Sequence, residues 1–248
     1  MKTVFLFFCS FWFAYTLQAD CKDGFSIFPF GHTLSPHAKI ILTGYMNSQQ
    51  VVQQLNKKYP VCLKSGSSKV YVTVEAIYPG QFRETQAVLI PGKGLVPGLT
   101  YTLVIDSLPV YQTFTRPDPE TGKKGAVQYR ITESSDTIAP EFTAMPVELK
   151  KIYVSYGRGP IVYVVFDCPV KETSAYMIKA TVTGRNTGAE TSYYIKPEDG
   201  TIKIGHGMCS GPFCFLDGTE YDVSFSLLDS KGNHSITSGF ISFSKPVY

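Results

Sequence analysis

The stretch GHGMCSGPFC at residues 205–214 places a cysteine between two glycines, three residues after a histidine. This Gly-x-Cys-x-Gly spacing around Cys209 is that of a nucleophile elbow, a strained turn between a strand and a helix that exposes the reactive side chain. The context argues against that chemistry, because Pro212 follows at once and no amphipathic helix comes after it. His206 is the only nearby group that could lower the pKa of the thiol. A small cysteine hydrolase centred on Cys209 is therefore an alternative interpretation, and we predict no catalytic residues.

The interpretation we favour for the same stretch is a loop closed by a disulfide. Cys168 ends a predicted strand over residues 161–167, and a Cys168–Cys209 bond would close the longer loop and stabilise the domain more. A local Cys209–Cys214 bond stays open as the competitor. If Cys168–Cys209 forms, Cys214 is a possible free thiol. In the first half of the chain we predict a Cys21–Cys62 disulfide.

Metal binding is the third chemistry that these residues offer. His206, Cys209 and Cys214 could supply three ligands, and His32 with His37 could supply two. Zinc sites usually contain four ligands in regular Cys-x-x-Cys or His-x-x-x-His pairs, and neither spacing occurs here. We predict no metal, and with no glycine-rich phosphate loop in the sequence we predict no cofactor.

Residues 1–19 have the pattern of a secretory signal peptide, with one lysine, a short apolar run and a small residue, Ala19, at the cleavage point. The run is too short for a membrane span, which needs about 20 apolar residues. We therefore expect a secreted or periplasmic chain that does not insert into the membrane after cleavage. Cys9, one of six cysteines, leaves with the leader, so an odd number remains in an oxidising compartment.

The formal net charge of +3 over 248 residues is too balanced to indicate a nucleic acid as partner. Apolar and polar residues alternate in several short runs rich in β-branched and aromatic residues, including 69–76, 161–166 and 220–227. The single helix candidate covers residues 48–58. An all-β fold of two sandwiches follows, joined near Asp136–Pro140. We place the domains at 20–135 and 145–248 and the linker at 136–144.

Each half carries a glycine-containing turn and then a tyrosine that opens an alternating strand, Tyr101 in the first half and Tyr221 in the second. In sandwich domains such a tyrosine corner buries the ring and bonds its hydroxyl to backbone upstream. The Leu95–Tyr101 and Gly218–Asn233 segments resemble those of bacterial Ig-like and fibronectin type III domains. The Asp-Thr-Ile-Ala-Pro linker is similar to those that join such modules in bacterial surface proteins.

The resemblance implies tandem sandwiches in a secreted protein. The leading functional hypothesis is a non-catalytic surface or spacer module with an unknown protein or cell-surface partner. A glycan- or peptide-binding module is a further alternative. Because the only tryptophan, Trp12, lies in the leader, another large residue must fill the core position where many such domains carry one.

Overall fold

A computed structural model describes residues 21–118, 121–133, 136–156 and 159–247, so the predicted signal peptide lies outside the described residues. Within them the fold is all-β, as predicted. The helical pattern at 48–58 yields a short turn of 3₁₀-helix, Met46–Ser48, followed by helix α1, Gln49–Gln53. Val51 and Val52 of α1 are buried in the first core. Propensity alone does not hold so short a helix, and its packing does.

The first half of the chain supplies ten strands. They are β1 (Gly24–Phe28), β2 (Thr33–Leu34), β3 (Ile40–Tyr45), β4 (Val61–Ser65), β5 (Ser68–Pro79), β6 (Glu84–Pro91), β7 (Thr100–Ile105), β8 (Arg116–Pro117), β9 (Lys124–Gly125) and β10 (Gln128–Ile131). Their hydrogen-bonded order is β1-β3-β6-β5-β4-β7-β10-β2, with a separate β8-β9 pair. All neighbours are antiparallel except β2 and β10.

Strand β5 turns this order into two layers. Its first residues, Ser68–Tyr71, pair with β4, and Val72–Pro79 pair with β6, with a bulge between Val74 and Ala76. A bulge increases the local twist, which lets one long strand leave one sheet and join the next. The layers β1-β3-β6 and β4-β7-β10 therefore face each other across a common core.

The second half supplies nine strands. They are β11 (Glu141–Phe142), β12 (Val147–Tyr156), β13 (Gly159–Asp167), β14 (Val170–Lys171), β15 (Tyr176–Gly184), β16 (Glu190–Ile195), β17 (Thr201–His206), β18 (Glu220–Asp229) and β19 (Ile241–Ser244). Sheet β12-β13-β17 packs on sheet β16-β15-β18-β19, and β11 pairs with β14. Three plus four strands in this order make an Ig-like sandwich. Strand β11 lies inside the stretch predicted as linker, and the Asp136–Pro140 segment falls between β10 and β11.

Aromatic rings pack against one another in the second core. The Phe166 ring contacts Phe225 and Phe243 edge-on, at centroid distances of 5.3 and 5.8 Å. Phe243 also stacks on Tyr221 at 5.5 Å. Edge-to-face pairs at these distances are favourable beyond the area they bury. Phenylalanines and Tyr221 thus supply the large side chains of this core.

Both predicted corner tyrosines are buried and bond to backbone upstream. Tyr101 Oη accepts from the amide of Val96 at 3.2 Å and donates to the carbonyl of Gly94 at 3.4 Å. Tyr221 Oη accepts from the amide of Leu216 at 2.7 Å. Each bond ties the loop that enters the strand to the strand itself.

The predicted disulfide pairing is wrong. Cys21 bonds to Cys209, with Cα atoms 5.4 Å apart, so neither Cys21–Cys62 nor Cys168–Cys209 nor Cys209–Cys214 forms. Cys62 in β4 and Cys168 after β13 are free and buried, each as a small apolar residue. The prediction paired cysteines within each half. The structure instead brings the loop after β17 against the first sandwich, where Cys209 meets Cys21, three residues before β1.

Candidate functional site

Residues 205–214 form a glycine-rich docking loop, and its glycines are required by close backbone approach. Gly205 has φ +144°, and a Cβ there would lie 1.9 Å from the carbonyl oxygen of Val162. A Cβ on Gly211 would lie 2.3 Å from the Cα of His206. The loop is closed by a bond from the amide of Gly207 to the carbonyl of Ser210, at 2.9 Å. No larger side chain fits at Gly205 or Gly211 without moving backbone.

The docking loop pairs with the turn between β5 and β6 of the first sandwich. Gly211 and Phe82 exchange two backbone hydrogen bonds, of 2.8 and 3.0 Å, and the amide of Gln81 donates to the carbonyl of Pro212 at 3.0 Å. The Gln81 side chain accepts from the amide of Cys214 at 2.5 Å. Together with the Cys21–Cys209 bond, these contacts fasten the loop to the other sandwich at several points.

A buried polar clasp and an apolar cluster continue the junction away from the loop. Gln86 of β6 donates through Nε2 to the carbonyl of Tyr194 and accepts at Oε1 from the amide of Tyr194, at 3.0 and 2.8 Å. Its Nε2 also donates to Thr43 Oγ1 at 3.0 Å. A shared apolar cluster lies beside this clasp: Phe28, Ile41, Val88, Met177, Tyr194 and Leu228. Both sandwiches therefore contribute to one continuous buried contact.

The three chemistries considered for the docking loop fare differently. Cys209 is in a disulfide, so its sulfur is neither a thiolate nucleophile nor a metal ligand in this state. The His206 ring contacts Phe82 at 5.5 Å, and its Nδ1 lies 3.0 Å from the carbonyl of Gly207. His32 pairs with Asp118 at 3.1 Å. Across the described part of the chain no three His, Cys, Asp or Glu side chains are grouped to hold a metal.

A cavity of about 560 Å³, which we call the junction cavity, opens beside the docking loop. Its walls come from both sandwiches and from the loop. The polar and aromatic residues that line it include Ser26, Thr43, Tyr45, Glu84 and Gln86 of the first sandwich and Tyr163, Tyr193, Lys196, Lys203 and Ser210 of the second. Ligand sites favour such clefts between domains, with a few polar groups converging in an otherwise apolar pocket.

Glu84, the first residue of β6, is the buried charge of the junction cavity, with 6% of its surface exposed. Burial raises the pKa of its carboxyl from 4.5 to about 7, although the hydroxyls of Tyr193 and Ser210 partly favour the charged form. Burial raises the pKa of the Tyr45, Tyr163 and Tyr193 hydroxyls, and the charge of Glu84 raises each further, while a hydrogen bond with Ser26 partly offsets the rise at Tyr45. Desolvation of charge thus dominates the electrostatics of this cavity.

Tyr193 Oη is buried without a hydrogen-bond partner among the described residues. It lies near enough to Glu84 for the two groups to affect each other's pKa. The Thr43 hydroxyl also affects the pKa of Tyr193, but neither Glu84 nor Thr43 forms a hydrogen bond of acceptable geometry with Tyr193 Oη. A buried hydroxyl without a partner is uncommon and calls for an explanation, such as a ligand or a water.

Two lysines and one carboxylate lie at the mouth of the junction cavity. Lys203 Nζ pairs with Glu198 at 2.7 Å, which lowers the pKa of the Glu198 carboxyl. Lys196 Nζ lies 4.8 Å from the centre of the Phe30 ring. Both cations are therefore already engaged at the surface.

No sequence motif pointed to the residues of the junction cavity, and neither Glu84 nor Tyr193 lies in one of the predicted sites. One sequence feature could have found them: three polar residues, Glu84, Thr85 and Gln86, directly precede an apolar run, and all three are buried at the start of β6.

No protein-family model matches this chain, and no curated protein matches it. Among solved structures it is similar to a cytokine receptor complex chain, at 10% identity and a TM-score of 0.26, covering 89% of this chain and 96% of that one. It is similar to the tandem Ig repeats of Dlar at 11% identity and a TM-score of 0.24, covering 87% and 96%.

Pullulanase type I from Bacillus subtilis str. 168 in complex with maltose also matches, at 10% identity and a TM-score of 0.26. That match covers 91% of this chain, which spans only 25% of the pullulanase. Similarities this low carry no argument about function. In the described ranges, no helix is long and apolar enough to cross a membrane.

Proposed function

We propose that this chain is a non-catalytic, exported binding module that works as one body and takes its ligand in the junction cavity. The observation that carries the proposal is the cavity itself, which both sandwiches line and which contains a buried carboxylate and an unpartnered hydroxyl. A site built from two modules exists only when their relative position is held.

Three features of the junction support a fixed relative position of the two sandwiches. The Cys21–Cys209 bond crosses between the sandwiches, the docking loop pairs with the β5–β6 turn, and the Gln86 clasp lies in a buried contact. A flexible spacer would need few contacts between its modules, because inter-domain motion is the default for small polar interfaces. The disulfide also favours an oxidising compartment, in agreement with the predicted export.

The proposal excludes the cysteine hydrolase interpretation for the oxidised protein, since Cys209 has no free thiolate to attack a substrate. It retains the glycan- or peptide-binding alternative and gives that alternative a site. The partner enters between the sandwiches and not along an outer sheet edge.

A cavity-blocking variant tests the proposal. Ser26 is an exposed residue of β1 that lines the junction cavity, so Ser26→Trp places a large ring at the entrance on a strand that tolerates it. The matched control, Tyr71→Trp, changes an exposed residue on β5 outside the cavity. The mature chain is screened on oligosaccharide and peptide arrays, and each hit is titrated against both variants.

We expect Ser26→Trp to weaken the binding of the hits at least tenfold and Tyr71→Trp to leave it within twofold. Hits that bind both variants equally well would place recognition elsewhere on the surface. In that case the junction cavity is not the binding site, and the proposal fails.

A further inference from the structure

We infer that the junction cavity takes the positively charged end of its ligand, an ammonium or guanidinium group, against Glu84 and between tyrosine rings. The inference rests on the proposed function, because it assigns a ligand chemistry to that same cavity. A lysine or arginine side chain of a partner peptide supplies this group, as does a small amine.

The first argument is the buried carboxylate. A buried charge in a folded protein is normally paired, because burial without a partner is unfavourable. Across the described residues no lysine, arginine or histidine forms an ion pair with Glu84, and only the hydroxyls of Tyr193 and Ser210 partly offset the effect of burial on its carboxyl. A cationic ligand would supply the missing partner.

The second argument is the aromatic wall. Tyr45 of β3, Tyr163 of β13 and Tyr193 of β16 line the cavity, and each lies near enough to Glu84 to feel its charge. Tyrosine faces attract cations, and the attraction is stronger where water is excluded. Rings from three strands beside one carboxylate make a suitable seat for an ammonium or guanidinium group.

The third argument is the unpartnered hydroxyl of Tyr193. Only 3% of this residue is exposed, and its Oη meets no hydrogen-bond partner among the described residues. The phenol oxygen can accept a bond from an N–H donor that also reaches the nearby Glu84 carboxylate. One cationic group would then satisfy both the charge and the orphaned hydroxyl.

An anionic ligand is the competing chemistry, since two lysines lie at the mouth. Lys203 is already paired with Glu198, and Lys196 lies over the Phe30 ring. An anion deep in the cavity would meet Glu84 at close range, and like charges in a desolvated site repel strongly. The mouth lysines therefore do not favour an anion at the inner end.

The charge of Glu84 makes the binding dependent on pH, and the groups around it determine the range. Those that face Glu84 or flank its cavity are Tyr45, Tyr163, Tyr193, Lys196, Glu198 and Lys203, with Arg83 next to it in the chain and lying over the Phe82 ring. Burial raises the pKa of each tyrosine above its ordinary value, and the pairing with Lys203 lowers the pKa of Glu198. Of the groups that line the cavity, Glu84 is therefore the one expected to change charge between pH 6 and pH 8, and His206 of the docking loop lies outside the lining, against Phe82.

The test uses three probes of equal backbone: the N-acetyl amides of lysine, norleucine and glutamate, which are cationic, neutral and anionic. Each is titrated into the mature chain at pH 8 and pH 6 and followed by NMR shifts of the tyrosine rings. The variants are Glu84→Gln, which removes the charge and keeps the shape, and Glu220→Gln, which removes an exposed carboxylate on β18 far from the cavity lining.

We expect the lysine probe to bind at least tenfold more tightly than the norleucine probe at pH 8. With the pKa of Glu84 at about 7, its affinity should fall about tenfold at pH 6 as the carboxylate is protonated. Glu84→Gln should weaken the lysine probe at least tenfold and leave the norleucine probe unchanged, and Glu220→Gln should change neither. Folding of each variant is checked by its amide spectrum.

Equal binding of the lysine and norleucine probes, stronger binding of glutamate, or no effect of Glu84→Gln would overturn the inference. So would no binding of any probe at solubility-limited concentration. The proposed function is tested separately. It is wrong if Ser26→Trp leaves the affinity of the array hits unchanged, whatever their charge. If neutral or anionic ligands bind and Ser26→Trp abolishes their binding, the cation inference is wrong and the proposed function is supported.

Discussion

Replacing Glu84 with glutamine should stabilise the protein at neutral and alkaline pH. The carboxyl is buried at the junction of the sandwiches, and burial raises its pKa from 4.5 to about 7. An acid with a raised pKa in the folded state binds its proton more tightly there than in the unfolded chain. Its contribution to stability is therefore present in full below pH 4.5 and is lost as the pH rises through 7.

The magnitude follows from the shift. A change of about 2.5 pKa units at 1.36 kcal/mol each gives an upper limit of about 3 kcal/mol by which ionised Glu84 lowers the free energy of unfolding at pH 8. Glutamine has nearly the same shape and no charge. We therefore expect Glu84→Gln to exceed the wild type by up to about 3 kcal/mol at pH 8 and to lie within about 1 kcal/mol of it at pH 4.

Urea unfolding of the oxidised mature chain at pH 4, 6 and 8 measures this difference. The control is Glu220→Gln on the exposed side of β18, which should stay within about 0.5 kcal/mol of wild type at every pH. A loss of stability at pH 8 in Glu84→Gln would refute the reasoning. It would mean that the folded protein compensates the charge of Glu84 and that no ligand is needed to do so.

Three further predictions follow from the junction and the corners. Removing the disulfide with Cys21→Ser and Cys209→Ser releases a separation of 188 residues, which in the chain-entropy treatment lowers the free energy of unfolding by about 5 kcal/mol. Urea midpoints check this, with Cys214→Ser as the control, and equal midpoints would contradict it. A thiol titration should find Cys62, Cys168 and Cys214 in the unfolded chain, while mild alkylation of the folded chain should label Cys214 alone, because the other two are buried. Labelled Cys209 would refute the pairing. Tyr221→Phe removes the hydrogen bond from the Leu216 amide and should lower the free energy of unfolding by about 1 kcal/mol. Tyr101→Phe is the matching variant in the first sandwich. If neither variant changes the urea midpoint, the tyrosine corners do not stabilise the fold.

Local patterns predicted much of the fold. Alternation along residues 220–227 predicted strand β18, whose apolar side chains face the second core, and the glycine turns before Tyr101 and Tyr221 predicted both corners. These features depend on residues near each other in the chain, and side-chain direction in a strand follows from its period of two. The helix at 48–58 was predicted longer than it is, because the backbone turns after Gln53 and Asn56 takes a positive φ of 58°, while Leu55 still packs in the first core.

The sequence by itself determined that the chain is all-β, and it supplied six cysteines without indicating how they pair. Only the tertiary structure decided which cysteine meets Cys209, because that depends on how one sandwich docks on the other. The burial of Glu84 was also decided by the tertiary structure. A glutamate at the start of a strand is usually exposed, and here the docking loop and β16 of the second sandwich bury it. The docking of the two sandwiches depends on contacts between residues far apart in the chain, and no local sequence pattern encodes it. The Cys21–Cys209 bond and the junction cavity therefore form only when both halves are in place.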